Sequence, residues 1–163
     1  MPDDKKVHAR AGYFVKPSLC KWIVFAQNNA GPFEIGETLC SGIDTVMQKA
    51  FREKIKLSSL DDVKSQNVDL IVIPEIVNFN DINLYRNPGF GKSSLVVKIK
   101  WTVQDKEKDI LFVQTITGEV EGTAHSRWGL QELMEKGLQD HFQKALESLL
   151  AQDWDSLLKE AKK

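Results

Sequence analysis

The residues that could most readily support chemistry in this chain are one histidine and two glutamates near position 120. His125 follows Glu119 and Glu121. A carboxylate beside an imidazole can orient it for proton transfer, as in a small hydrolase or transferase. No serine or cysteine nucleophile is recognisably presented beside His125, however, and both glutamates alternate with Val120 as on an exposed strand face. Surface charge is the preferred interpretation, and we predict no catalytic residue.

The two cysteines, Cys20 and Cys40, could form a covalent cross-link. They are too few for a disulfide scaffold and too far apart for a zinc knuckle. Cys20 shares a predicted strand face with Trp22, and Cys40 borders the apolar stripe of a predicted helix, so we expect the two to lie close together. They are either two buried thiols or a disulfide, which needs an oxidising compartment and Cα atoms within about 7 Å.

Cofactor, metal and nucleic-acid sites are not predicted. Gly91, Lys92 and Ser93 resemble the end of a phosphate-binding loop, but Arg86 stands where that pattern requires glycine, and a strand follows instead of a helix. The three histidines lack the further ligands that a metal needs. With 22 basic and 23 acidic residues, the chain has no positive excess to attract nucleic acid.

The apolar periods predict an α+β fold in a single domain, residues 1–163. Apolar residues repeat every three to four positions in two segments, as in helices: 36–53 and 128–158. They alternate in three segments, as in strands: 68–77, 95–103 and 110–122. We expect a single mostly antiparallel sheet with two main helices packed on one face, the face that receives Trp101.

Shorter features complete this prediction. Residues 104–109 form a charged turn that joins the last two strands as an antiparallel hairpin. Residues 8–15 and 19–26 are β-prone, residues 1–7 read as a flexible tail, and residues 153–163 could form a separate short C-terminal helix. No apolar run approaches the ~20 residues that a membrane span needs.

A long connection between two predicted strands, residues 79–94, is the candidate partner-binding segment. It contains more chain than a hairpin requires, and connections of this length are often functional. Tyr85, Arg86 and Phe90 are of the types that anchor protein interfaces. A disordered crossover is the alternative. We predict that these three side chains contact the partner.

Four segments carry a resemblance to a known family: 31–39 (GPFEIGETL), 69–75 (DLIVIPE), 95–103 with 117–122 (TGEVEG), and the closing helix with Ala145 and Leu146. Over roughly residues 10–150 the chain resembles small bacterial envelope lipoproteins of the YajG type and, more distantly, the lipopolysaccharide-assembly lipoprotein.

This resemblance implies a non-enzymatic domain that faces the periplasm and binds or assists another envelope protein or a glycolipid. It would meet the outer membrane only through a lipid tether that is absent from this chain. Because the sequence shows no leader or lipobox, a cytoplasmic adaptor domain with reduced thiols is the alternative.

Overall fold

A computed structural model describes residues 3–24, 32–78, 82–83, 93–123 and 127–163 of the chain. The strands among them are β1 (Ala11–Tyr13), β2 (Ile23–Val24), β3 (Phe33–Glu34), β4 (Lys54–Lys56), β5 (Leu70–Asn78), β6 (Ile82–Asn83), β7 (Ser93–Asp105) and β8 (Ile110–Gly122). The helices are α1 (Gly36–Ala50), α2 (Arg127–Leu150) and α3 (Trp154–Ala161), with short 3-10 turns at Pro17–Lys21 and Leu60–Ser65. No described helix is long and apolar enough to cross a membrane.

Six strands form one mixed sheet in the order β4-β1-β5-β7, with β8 on the far side of β7. β7 and β8 form a long antiparallel hairpin in which Trp101 lies opposite Gln114, so the predicted hairpin is confirmed. β5 also runs antiparallel to β7, and β6 occupies the same side of β7 beyond the end of β5.

The prediction of a mostly antiparallel sheet is wrong because β1 is parallel to both of its neighbours. Ala11 pairs with Lys54 of β4 on one side and with Leu70 of β5 on the other. Between β1 and β4 the chain runs through α1, and a crossover of this kind returns it to the sheet in the same direction. β1 and β4 have three residues each, too few to display a period in the sequence.

The two main helices relate differently to the sheet. α2 packs directly on β7 and β8, whereas α1 packs mainly on α2 and on the Pro17–Lys21 turn. At the α2 contact, a Cβ on Gly118 of β8 would lie 2.6 Å from the backbone oxygen of Gly137, so only glycine permits this approach. α1 reaches the sheet through side chains, since the Tyr13 hydroxyl donates to Asp44 Oδ1 at 2.9 Å. Helix packing on the sheet is therefore clear for α2 alone.

The main core fills the space between the sheet and the helices. Trp101 is fully buried there, and the other inward residues of β7 are buried with it: Leu95, Val97, Ile99 and Val103. This confirms the predicted inward face of the hairpin. On the opposite face a smaller cluster of Leu57, Val63, Val68 and Ile71 lies at the β4-β1-β5 end of the sheet.

The predicted strand over residues 19–26 is wrong for its first half. Residues Pro17–Lys21 form a 3-10 turn, and only Ile23–Val24 is extended, paired with Phe33–Glu34 of β3. Pro17 explains the difference, because proline has a fixed φ and no N–H, which suits the first position of a helical turn. Residues 25–26 lie outside the described part of the chain.

Candidate functional site

A disulfide fastens the Pro17–Lys21 turn to α1. It joins Cys20 in the turn to Cys40 in the helix, with the two Cα atoms 5.5 Å apart. The Gly36 N–H donates to the Trp22 carbonyl oxygen at 2.9 Å. The backbone of the turn crosses so close to Gly36 that a Cβ there would overlap it. A covalent bond, a hydrogen bond and a backbone contact thus hold the turn in one position on α1.

An open groove lies between this fixed turn and strand β5. Its cavity volume is about 690 Å³. One wall comes from the turn and the residues beside it: Lys16, Ser18, Leu19 and Trp22. The other comes from the sheet: Pro74, Glu75, Ile76, Val77 and Lys100. We call it the β5 groove. Because the disulfide holds one wall and the sheet forms the other, its shape is set before any ligand arrives.

The wall formed by β5 includes an unpaired strand edge. β1 pairs with β5 only from Leu70 to Val72, and the Phe14 N–H donates to the Val72 carbonyl at 3.1 Å. Beyond Val72 no described strand pairs with this side of β5. Alternate residues of a strand direct their backbone N–H and C=O groups to the same side. The backbone groups of Val72 point toward β1, so those of Pro74 and Ile76 point toward the groove. Pro74 lacks an N–H, which is why proline is tolerated at an edge.

Three charged side chains form the rim of the β5 groove. Lys16 Nζ lies 3.9 Å from Glu75 Oε1, and Lys100 Nζ lies 3.9 Å from Glu75 Oε2. All three are more than a third exposed, so these ion pairs add little to stability. Two ammonium groups share a single carboxylate, which leaves the rim with a net positive charge.

A second groove separates α1 from α2, with a cavity volume of about 380 Å³. Its floor is part of the helix contact, because Val46, Leu138 and Leu146 are buried in the core. The Phe142 ring packs on Gly42, where a Cβ would overlap it. Threonine, serine and glutamine side chains line the rim. We assign this groove to helix packing.

The predicted partner-binding residues Tyr85, Arg86 and Phe90 lie outside the described residues, and so does His125. Glu119 and Glu121 are described and exposed. Glu119 acts here through its backbone N–H, which donates to Asp140 Oδ2 of α2 at 2.9 Å. The described contact of Glu119 is thus a backbone contact that joins β8 to α2.

The described residues on either side of segments 84–92 and 124–126 all lie at one end of the sheet. Asn83 pairs with Ser94, and Ser93 pairs with Gly122, so segments 84–92 and 124–126 leave the sheet at the same end. Trp128, in the first turn of α2, has an exposed fraction of 83% at that end. The sequence contained a signal for this, because Trp128 precedes the stripe of Leu130, Met134 and Leu138 without sharing its spacing.

His141 is a buried titratable residue that the sequence reasoning did not select. The Trp101 indole N–H donates to His141 Nε2 at 3.1 Å, and the two rings are stacked. Burial lowers the pKa of His141 to about 4, and it outweighs the nearby carbonyl groups of Ile116 and Val97, which favour protonation. The imidazole is therefore neutral at pH 7. It has no exposed surface through which a substrate could reach it, so its role is structural.

Among the described residues, no group of three or more His, Cys, Asp or Glu side chains could hold a metal ion. The β5 groove offers features suited to contacts with a partner: an unpaired backbone edge, a charged rim and apolar side chains.

Comparison with solved structures gives matches for the fold. A Xanthomonas campestris protein described by the family model DUF330 matches with a TM-score of 0.64 at 9% identity, over 93% of this chain and 90% of that one. A hypothetical protein of Chlamydia trachomatis matches with a TM-score of 0.56 at 9% identity, over 87% and 96%. Uncharacterised lipoprotein B of Nitrosomonas europaea matches at 14% identity over 91% and 84%, with a TM-score of only 0.43.

No protein-family model matches the chain, and no curated protein matches it in sequence. At the identities found, the likeness to solved structures shows the fold alone. The resemblance to lipoproteins of the YajG type stays a prediction from the sequence.

Proposed function

We propose that this chain is a non-catalytic binding domain of the bacterial cell envelope. The observation that carries the proposal is the disulfide between Cys20 and Cys40. Disulfides form and persist in the periplasm and outside the cell and are rare in the cytosol, where thiols are kept reduced. The bond therefore favours a periplasm-facing domain over a cytosolic adaptor. The sequence resemblance to outer-membrane lipoproteins supports the same compartment.

A binding role is supported by the surfaces on the described chain. The β5 groove offers a preformed cavity with an unpaired strand edge. His141, whose pKa is strongly lowered, is instead fully buried in the core. Tyr85, Arg86 and Phe90 remain our proposed anchors for a partner, which we take to be another envelope protein. The exposed Trp128 at the same end of the sheet extends the surface available to that partner.

The topology suggests how a tethered domain would present this surface. β1 begins where Ala11 pairs with Leu70, and Leu70 pairs with Asp105 at the end of β7. Segment 84–92 is attached at the other end of β7, which is 13 residues long. At about 3.3 Å per residue the two ends are roughly 40 Å apart. A lipid tether at the N-terminus would therefore leave the end of the sheet that holds Asn83 and Ser93 facing away from the membrane.

The compartment can be tested by labelling thiols in cells that produce the protein from its own gene. Cells are quenched in acid, denatured and treated with a polyethylene-glycol maleimide before or after reduction. We expect no mass shift before reduction and addition to both cysteines after it. A Cys20→Ser variant is the control, because its remaining Cys40 should be labelled without reduction. Labelling of both wild-type thiols before reduction would overturn the envelope proposal and favour the cytosolic adaptor.

A further inference from the structure

The open edge of β5 presents a defined set of backbone groups. Residues 70, 72, 74 and 76 direct their backbone groups to one side, and β1 uses only the first two. Pro74 then offers one acceptor, its carbonyl oxygen, and Ile76 offers its N–H and its carbonyl oxygen. These groups continue the line of the β1–β5 ladder after β1 ends at Tyr13. A group that fills this position must supply donors for the two carbonyl oxygens and an acceptor for the Ile76 N–H at strand spacing, as the backbone of an extended polypeptide does.

The side chains of the β5 groove add a second requirement. Leu19 and Trp22 on the turn and Ile76 on the strand give the cavity apolar walls. The positive rim formed by Lys16 and Lys100 lies where β5 borders the groove, and Glu75 is the one acidic side chain among the described residues that line it. An extended chain lying there would place alternate side chains on the apolar wall and on the rim. Apolar side chains suit the first position, and acidic side chains suit the second.

We propose that the β5 groove binds an extended segment of a partner protein, with apolar residues alternating with acidic ones, as an added strand on β5. This deepens the proposed binding function and rests on it. The segment takes the place that β1 would occupy if it continued past Tyr13. The disulfide fixes the turn that forms the opposite wall, so a reduced protein should bind the same segment less well.

The test uses the whole chain and a synthetic peptide, acetyl-Glu-Val-Glu-Val-Glu-Val-amide, which is on the order of the usual strand length. Binding is followed by nitrogen-15 NMR, with amide hydrogen exchange at Ile76 as the main observable. The Ile76 N–H faces the groove and should become protected when the peptide is added. The N–H groups of Ile73 and Glu75 face β7 and should be protected in both states. Binding with a Kd below about 1 mM and protection of Ile76 are the expected results.

Two N-methylated versions of the peptide test whether backbone pairing is responsible. One carries methyl groups on the three glutamates and the other on the three valines. Only alternate amides of an added strand point at β5, so we expect one version to lose binding and the other to retain it. Equal binding by both versions would mean that side chains alone hold the peptide, and this would overturn the added-strand geometry.

Charge reversal tests the rim. A Lys16→Glu, Lys100→Glu variant should weaken binding of the acidic peptide by about fivefold or more and strengthen binding of the same peptide with lysine in place of glutamate. Lys98→Glu, with a second reversal at the exposed Lys106, is the matched control, because neither residue lines the β5 groove. An equal loss in the control pair would show a general charge effect and refute the role of the rim.

The remaining outcomes separate this inference from the function on which it rests. No peptide binding, or binding without protection of Ile76, would overturn the added strand. Protection that rises with protein concentration in the absence of peptide would assign the edge to a second copy of the chain. If purified lipopolysaccharide, added without peptide, changes the chemical shifts of the β5 groove residues, the groove would be assigned to a glycolipid. In each case an oxidised disulfide in cells would still support the envelope domain.

Discussion

Protonation of His141 should destabilise the fold within a defined pH window. Burial against Trp101 lowers the pKa of His141 from 6.5 to about 4. The unfolded chain therefore binds the proton at a higher pH than the folded chain does. The contribution of the neutral imidazole is fully present above pH 6.5, is lost progressively as the pH falls to about 4, and stays lost below that.

The size of the loss follows from the two pKa values of His141, which differ by about 2.5. Each pKa unit corresponds to about 1.4 kcal/mol, so the free energy of unfolding should fall by roughly 3 kcal/mol across the window. The pKa of the neighbouring Asp140 lies below this pH window. Lys144 and the Glu119 N–H lower its pKa below 3.8, so the contribution of that carboxylate is lost only below this window.

The assay is urea unfolding followed by far-UV circular dichroism at a series of pH values between neutral and 4. His141→Phe removes the titrating group and keeps a ring against Trp101, and His141→Gln is a second variant should the first fail to fold. Either variant should be less stable at neutral pH but should lose much less stability than wild type as the pH falls. His8→Gln is the matched control, because His8 is exposed. Identical pH dependence in wild type and both His141 variants would refute the reasoning.

Three further predictions test other parts of the molecule. Trp101→Ala should lower the free energy of unfolding by about 3–5 kcal/mol through the cavity that it leaves, and near-wild-type thermal stability would contradict its place in the core. Replacing both cysteines with serine opens a cross-link of sequence separation 20 and should cost about 3 kcal/mol, measured against oxidised wild type, with the reductant-treated wild type falling to the same value. Combined alanine substitution of Tyr85, Arg86 and Phe90 should reduce capture of the partner and leave the melting temperature nearly unchanged. If His125→Ala abolishes function and that triple variant does not, the enzyme alternative replaces the binding domain.

The long elements could be predicted because their apolar periods span many residues. β7 alternates along most of its 13 residues, β8 alternates in its second half, and α1 keeps its buried stripe over 15 residues. The short ones could not. β1 contains three residues, and its parallel pairing depends on a crossover through α1 that no local pattern reports. The Pro17–Lys21 turn was obscured because Cys20, Trp22 and Val24 alternate as a strand would.

The β5 groove could not be predicted because its parts are far apart in the chain. Lys16 and Lys100 meet at Glu75 only once the sheet has formed. The open edge depends on where β1 ends relative to β5, which is a property of register. His141 was within reach of sequence reasoning, since it is three residues after Leu138 and four before Ala145 on the buried side of α2. A polar residue on such a stripe is a signal for a buried hydrogen bond.

The position of β1 between β4 and β5 has a consequence for how the protein folds. Ala11 is synthesised early, but its partners Lys54 and Leu70 follow much later in the chain. β1 therefore stays unpaired while the following residues are synthesised, and the sheet can form only once β5 is available. Such distant pairing slows folding. Proteolytic removal of residues through Tyr13 should likewise release β4 and expose the whole edge of β5, which would make the domain prone to aggregate.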